Sequence, residues 1–365
     1  MFLRRVPLLS RRQLLLPLIA LLAALAVPSA AGARAPKDFV GLSSEDVFAG
    51  NAAYRNAQLS DQKSKRVGLH RQFFSWERIE KSPGVYDFST YDAYVLQAAS
   101  HGISILPILQ RAPSFYARSP VGTTIFPPRS NAPFAAFAAA VVRRYGPSGT
   151  LWNANPAARK YAIRNVQVWN EPSLRQYWGG RPSARQYVKM LKAVRKAVRG
   201  ADRRVKIVTA GIPPSTQSGA VRITKFITQM YKAGGRRAFD YLAINSYARN
   251  QKELLRLLKK IRKLMNKRRD RRKQIWITEI GWGDKGPRHR FVVGARKQAS
   301  LTTKSIRTIK KYRRRLRLRG FVYFSWRDGQ PYGSGDQWGL HTGLLRLDGS
   351  HKPAYNAFAR ATRGL

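Results

Sequence analysis

The chain contains no cysteine in its 365 residues. This excludes disulfides, thiolate metal sites and thiol catalysis, so packing alone must hold the fold. Histidine is scarce as well. The five present (His70, His101, His289, His341 and His351) show no ligand spacing, so no metal is expected. Gly333-Ser334-Gly335-Asp336 lacks the third glycine and the strand-turn-helix setting of a dinucleotide site, and no organic cofactor is expected either. Acidic residues number 18 against 69 lysines and arginines, giving a formal net charge of +51 at pH 7. No linker, repeat or low-complexity segment interrupts residues 36–365, which read as one large domain able to bury a sizeable core.

The first 35 residues differ from the rest. Arg4, Arg5, Arg11 and Arg12 precede an apolar stretch from Leu14 to Val27, and small residues follow in Ala31-Gly32-Ala33 and Ala33-Arg34-Ala35. This is the layout of an export signal over residues 1–35. Its 14 apolar residues are short for a bilayer crossing, although a retained anchor is the alternative. Ser10-Arg11-Arg12-Gln13-Leu14-Leu15 resembles the twin-arginine export motif, while paired arginines also occur in general secretory signals. The mature protein is expected to be secreted or associated with the cell surface, with no transmembrane helix.

Beyond the signal, short apolar runs alternate with helical patterns. Eight strands are expected near Phe39–Leu42, Val67–Leu69, Ile103–Leu109, Ile163–Trp169, Val205–Ala210, Tyr241–Asn245, Ile275–Glu279 and Gly320–Ser325. Ser183 precedes one helical segment, Ala184 to Val198, and Asn131-Ala132-Pro133 opens another. Eight strand-then-helix repeats predict an α/β fold, a single (β/α)₈ barrel.

Trp169-Asn170-Glu171-Pro172 closes the fourth run, and Glu279 closes the seventh, 108 residues later, in Ile275-Trp276-Ile277-Thr278-Glu279. Barrel chemistry is built from the C-terminal ends of strands, so both glutamates are expected at one mouth. Two carboxylates there can cleave a glycosidic bond: one protonates the leaving oxygen while the other attacks or stabilises the anomeric carbon. A strand-end salt bridge is the competing reading for each.

Over residues 36–365 the chain resembles the glycoside hydrolases of clan A, and within it families 5 and 39. The resemblance implies that Glu171 is the acid/base, that Glu279 is the nucleophile, and that anomeric configuration is retained. It implies that Arg71, in Gly68-Leu69-His70-Arg71, bonds the nucleophile, and that Tyr247, in Ile244-Asn245-Ser246-Tyr247, does the same; a plain buried tyrosine is the competing view of Tyr247. Asn170 would bond the sugar 2-hydroxyl; a turn-capping Asn is the other view. Asn245 departs from the pattern, because many relatives carry histidine two residues before that tyrosine. Trp326, in Tyr323-Phe324-Ser325-Trp326, resembles the tryptophan floor beneath the sugar, where indole stacks well on a pyranose face; a core tryptophan is the other reading. Trp178, Trp282 and Trp338 fall in expected mouth loops and either extend that platform or pack in the core. The segment Phe73 to Glu80, with Gly84 to Phe88, also matches the family and is assigned to packing and loop structure.

Residues 1–35 hold five arginines and no acid, so the mature chain keeps 64 basic and 18 acidic residues, a net +46. The basic runs from Lys252 to Lys273 and from Lys304 to Arg319 coincide with expected helices. Leu254, Leu258, Ile261 and Met265 recur at helical spacing in the first, which makes the intervening cations a solvated outer face. Electrostatic association with anionic cell-wall polymers is the other reading of the charge. No nucleic-acid module is recognisable. The sequence therefore points to a secreted retaining glycoside hydrolase acting on a polysaccharide or oligosaccharide. Two alternatives remain: a carbohydrate- or polyanion-binding barrel without turnover, and a transglycosylase.

Overall fold

In the eight runs just described, apolar residues are concentrated enough to be buried on both faces, which suits parallel strands covered by helices. The computed structural model describes residues 1–2, 35–118, 125–331 and 335–365. Apart from its extreme ends, the expected export segment lies outside the described residues. Eight strands close into a parallel barrel: β1 (Val40–Leu42), β2 (Leu69–Ser75), β3 (Ser104–Gln110), β4 (Asn165–Val168), β5 (Lys206–Val208), β6 (Tyr241–Asn245), β7 (Gln274–Ile280) and β8 (Leu318–Tyr323), each paired with its sequence neighbours and β8 with β1. The fold is the expected (β/α)₈ barrel.

The barrel interior is packed by Leu69, Leu106, Val208, Ala243, Trp276 and Val322, with Tyr241 against them. A second, larger core lies between strands and helices. Helix Ala184–Ala201 is capped as expected, its Ser183 hydroxyl accepting from Gln186 N. Leu254, Leu258, Ile261 and Met265 of helix Gln251–Lys267 are fully buried, and most of its cations face outward. Arg262 is the exception: it is buried, and its guanidinium donates to Leu316 O at 3.1 Å and Lys273 O at 2.9 Å. Among the described residues, no helix is long and apolar enough to cross a membrane.

Two boundaries differ from expectation in ways that matter for the site. Strand β2 begins at Leu69 rather than ending there, and pairs with β3 residue by residue from Leu69–Ser104 to Ser75–Gln110. Arg71 is therefore inside the strand rather than just past it. Polar His70, Arg71 and Gln72 conceal this strand in the sequence, because their partners lie on other elements: Arg71 reaches across the barrel, His70 meets Gln62 and Tyr94 on flanking helices, and Gln72 meets Glu45. Trp76–Ile79 then forms a single helical turn, and Glu80–Ser82 pairs antiparallel with Val85–Tyr86.

The second difference is in β7. Its register against β6 shifts between Ile244–Ile277 and Asn245–Glu279, so Thr278 is the extra residue. With Trp276 pointing into the barrel, strict alternation would send Glu279 outward. The shift turns it back to the mouth.

Candidate active site

Glutamates at strand ends are held by what surrounds them. Glu279 is 7% exposed and both its oxygens are occupied. Arg71 Nη1, from β2, donates to Oε1 at 2.8 Å, and the Tyr247 hydroxyl, just after β6, donates to Oε2 at 2.6 Å. Arg71 is itself 2% exposed and spends its remaining donors on β4 and the turn after it, with Nε to Gln167 Oε1 at 2.8 Å and Nη2 to Asn170 Oδ1 at 2.9 Å. One planar guanidinium thus ties β2, β4 and β7 together, as its rigid fork of donors allows. The acidic partner beside Tyr247, together with burial, pushes its hydroxyl well above its usual pKa; burial is the larger cause.

Glu171 lies in a contrasting setting. It is 8% exposed, sits at φ 45°, and follows Trp169 at φ 69°; both angles are in the left-handed region that non-glycine residues rarely occupy. Its Oε1 accepts from Asn245 Nδ2 at 2.8 Å, while no partner contacts Oε2 among the described residues. Burial first and the Glu279 charge second push its pKa up to about 8, against the opposing pull of the Asn245 amide and Arg71. One carboxyl group is thus locked by two donors, and its neighbour is biased toward the protonated form.

Asn245 is buried, and Thr278 Oγ1 donates to its Oδ1 at 2.9 Å, which fixes the amide so that Nδ2 faces Glu171. The Asn245 side chain thus supplies the N–H that meets Glu171. The Asn170 carbonyl is taken by Arg71 and, at 3.4 Å, by Asn245 Nδ2, while no acceptor among the described residues takes its own amide donors.

The structure thus brings Arg71, Asn170, Glu171, Asn245, Tyr247 and Glu279 together. The tryptophans divide. Trp326, read from the sequence as the sugar floor, is fully buried, donates its indole N–H to Gln58 Oε1 at 2.8 Å, and packs on Tyr355. No face of it is open to a sugar. Trp178 and Trp282, each 1% exposed, are also core residues, the second donating to Ala248 O at 2.7 Å. Trp338 is the one that stays half-exposed beside the carboxylates: it meets Tyr247 edge-to-face at 5.0 Å and stacks on His289 at 4.9 Å.

Four residues escaped the sequence reading. Gln167 and Thr278, both fully buried, orient Arg71 and Asn245. Polar residues amid apolar strand runs were the available signal. Gly211 allows the Asn245 side chain its position. Half-exposed Phe324, immediately after β8, is the aromatic at that mouth position, and a Cβ at Gly339 would lie 3.9 Å from its ring.

Residues 145–344 match the glycosyl hydrolase catalytic core family. This chain belongs to that family. The family 39 glycoside hydrolase from the gut symbiont Bacteroides cellulosilyticus WH2 is 19% identical with a TM-score of 0.65, over 90% of this chain and 64% of that one. A monomeric β-xylosidase from Caulobacter crescentus CB15 is 16% identical (TM-score 0.62) over 89% of this chain and 68% of its own. A GH5_18 protein from Bifidobacterium longum subsp. infantis is 13% identical (TM-score 0.64) over 89% and 78%. At these identities the structural likeness concerns the fold. The chain spans less than two thirds of the family 39 enzyme's length. No curated protein sequence matches it.

Proposed function

We propose that this protein is an exported glycosidase that cleaves a β-linked oligosaccharide or polysaccharide with retention, by double displacement. The observation that carries the reading is the contrast between the two glutamates: Glu279 with both oxygens hydrogen-bonded, Glu171 with a pKa near 8 and a free Oε2. In the first step a Glu279 oxygen attacks the anomeric carbon as the glycosidic C–O bond breaks, and the Glu171 proton passes to the leaving oxygen. In the second, ionised Glu171 takes a proton from water, whose oxygen displaces Glu279 and regenerates both groups. The free Asn170 amide is placed to bond the 2-hydroxyl, and Trp338 and Phe324 are placed to cover sugar faces.

A 2-deoxy-2-fluoro β-glycoside with a good leaving group should label Glu279 covalently. A panel of xyloside, mannoside, glucoside and galactoside forms serves to find the sugar. A covalent label on another residue, with turnover continuing, would refute the assignment. For export, changing Arg11 and Arg12 to lysine should trap a precursor inside the cell if the twin-arginine route is used; undiminished secretion would point to the general route.

A further inference from the structure

The chain's positive charge is not evenly spread over the barrel. At the face opposite the catalytic mouth, the loops entering β6 and β7 and the last turns of helix Ala184–Ala201 enclose a depression of about 850 Å³. Eight cations and two acids line it. Both acids are already consumed. Asp240 accepts from Arg195 at 2.8 and 3.2 Å and from Ile207 N at 2.8 Å; Asp270 accepts from Lys273 and the Tyr231 hydroxyl, each at 2.9 Å. Arg195 and Lys273 are the half-buried cations of the set.

The other six, Arg199, Arg236, Arg237, Arg269, Arg271 and Arg272, are all exposed, and none forms an ion pair among the described residues. Gathering six guanidinium groups without a counter-charge costs Coulomb energy that a bound polyanion relieves. Each can grip a carboxylate or phosphate through two parallel N–H bonds. This arrangement differs from the solvated stripe on helix Gln251–Lys267, because two loops and a helix end converge on one concavity.

We propose that this arginine-lined depression binds an anionic saccharide chain, independently of the catalytic mouth. A glycan is favoured over nucleic acid because the depression offers no base-stacking platform: Phe239, its one aromatic, is 1% exposed and covered by Lys273 at 4.5 Å. The oxyanions are carboxylates of a uronic-acid chain or phosphates of a polyol-phosphate chain, which the guanidinium fork accepts alike. The site anchors the enzyme to charged envelope material while the opposite face stays open to its substrate. It goes beyond the proposed catalytic function and does not depend on it.

The test compares two triple variants with the same change in net charge: Arg199→Glu/Arg271→Glu/Arg272→Glu in the depression, and Lys297→Glu/Lys304→Glu/Arg307→Glu on exposed positions of helix Ala295–Tyr312. Affinities for polygalacturonate, a poly(glycerol phosphate) and single-stranded DNA would be measured at low and moderate salt, with thermal unfolding as the check on folding. The first variant should lose about tenfold or more of its affinity for the anionic glycan and show a shallower salt slope, while the second stays within about threefold of the parent. The tighter of the two glycans names the oxyanion. Equal weakening of both variants would show a diffuse field instead of a site and overturn the proposal. DNA bound more tightly than either glycan, and lost in the first variant, would overturn it in favour of nucleic acid.

Discussion

A methyl group at Gly211 would lie 2.0 Å from Asn245 Oδ1 and 2.7 Å from Thr278 Oγ1. The missing side chain after β5 is therefore what lets Asn245 stand between Thr278 and Glu171, and the same residue accepts from Glu171 N at 3.2 Å through its carbonyl. Gly211→Ala should push the Asn245 amide off Glu171 and cost about 10- to 100-fold in kcat on unactivated glycosides, a share of what positioned proton transfer contributes. Aryl glycosides with excellent leaving groups should lose less. Equal losses on both substrates would show that Gly211 matters only for packing.

The pH profile tests Glu171. Its pKa near 8 predicts that kcat/KM on a neutral glycoside falls as pH rises through about 8. Asn245 donates to the ionised form and so lowers that pKa; Asn245→Ala should move the alkaline limb upward while reducing the rate at the optimum. An unmoved limb would assign it to another group.

The same shift has a stability consequence. A carboxyl group whose pKa is raised on folding stabilises the fold fully below the ordinary glutamate value of 4.5, and this contribution is lost as pH rises through about 8. The slope is at most about 1.4 kcal/mol per pH unit. Glu171→Gln, which cannot ionise, should therefore melt several degrees above the parent at about pH 9 and gain no such advantage at about pH 4. Denaturation followed across that range checks this directly.

Arg71 serves three acceptors at once. Arg71→Met leaves the buried Glu279 carboxylate without its cation and should destabilise by about 3–5 kcal/mol, with activity down by at least about 100-fold. Arg71→Lys should recover little, since one ammonium cannot reproduce the planar fork. Adding Glu279→Gln to Arg71→Met should restore much of the lost stability by removing the stranded charge. A double variant no more stable than the single one would place the cost in packing.

The tryptophans make a paired test. Trp338→Ala should lower kcat/KM about 10- to 100-fold with little change in melting temperature, because it removes a half-exposed ring beside Tyr247. Trp326→Ala should instead cost about 3–5 kcal/mol of stability, as a fully buried indole does. Reversed outcomes would restore the reading of Trp326 as the sugar floor.

Eight apolar runs separated by amphipathic helices made a parallel sheet covered on both faces legible, and their number, eight strand-helix repeats, pointed to a closed barrel over an open sheet. The motifs Trp169-Asn170-Glu171 and Ile277-Thr278-Glu279 likewise placed two carboxylates at strand ends, since strand periodicity alone carries them there. Tertiary structure decided the rest. The extent of β2 depended on partners for His70, Arg71 and Gln72 that other elements of the folded chain supply. The inward aim of Glu279 depended on a one-residue register shift, which no local pattern encodes. Sequence could name four tryptophans near the mouth, yet which of them met solvent was settled by the packing of Gln58, Tyr355 and Ala248 around two of them. The proton affinity of Glu171 was decided in the same way, because desolvation and a neighbouring charge are properties of a place in space and not of a position in the chain.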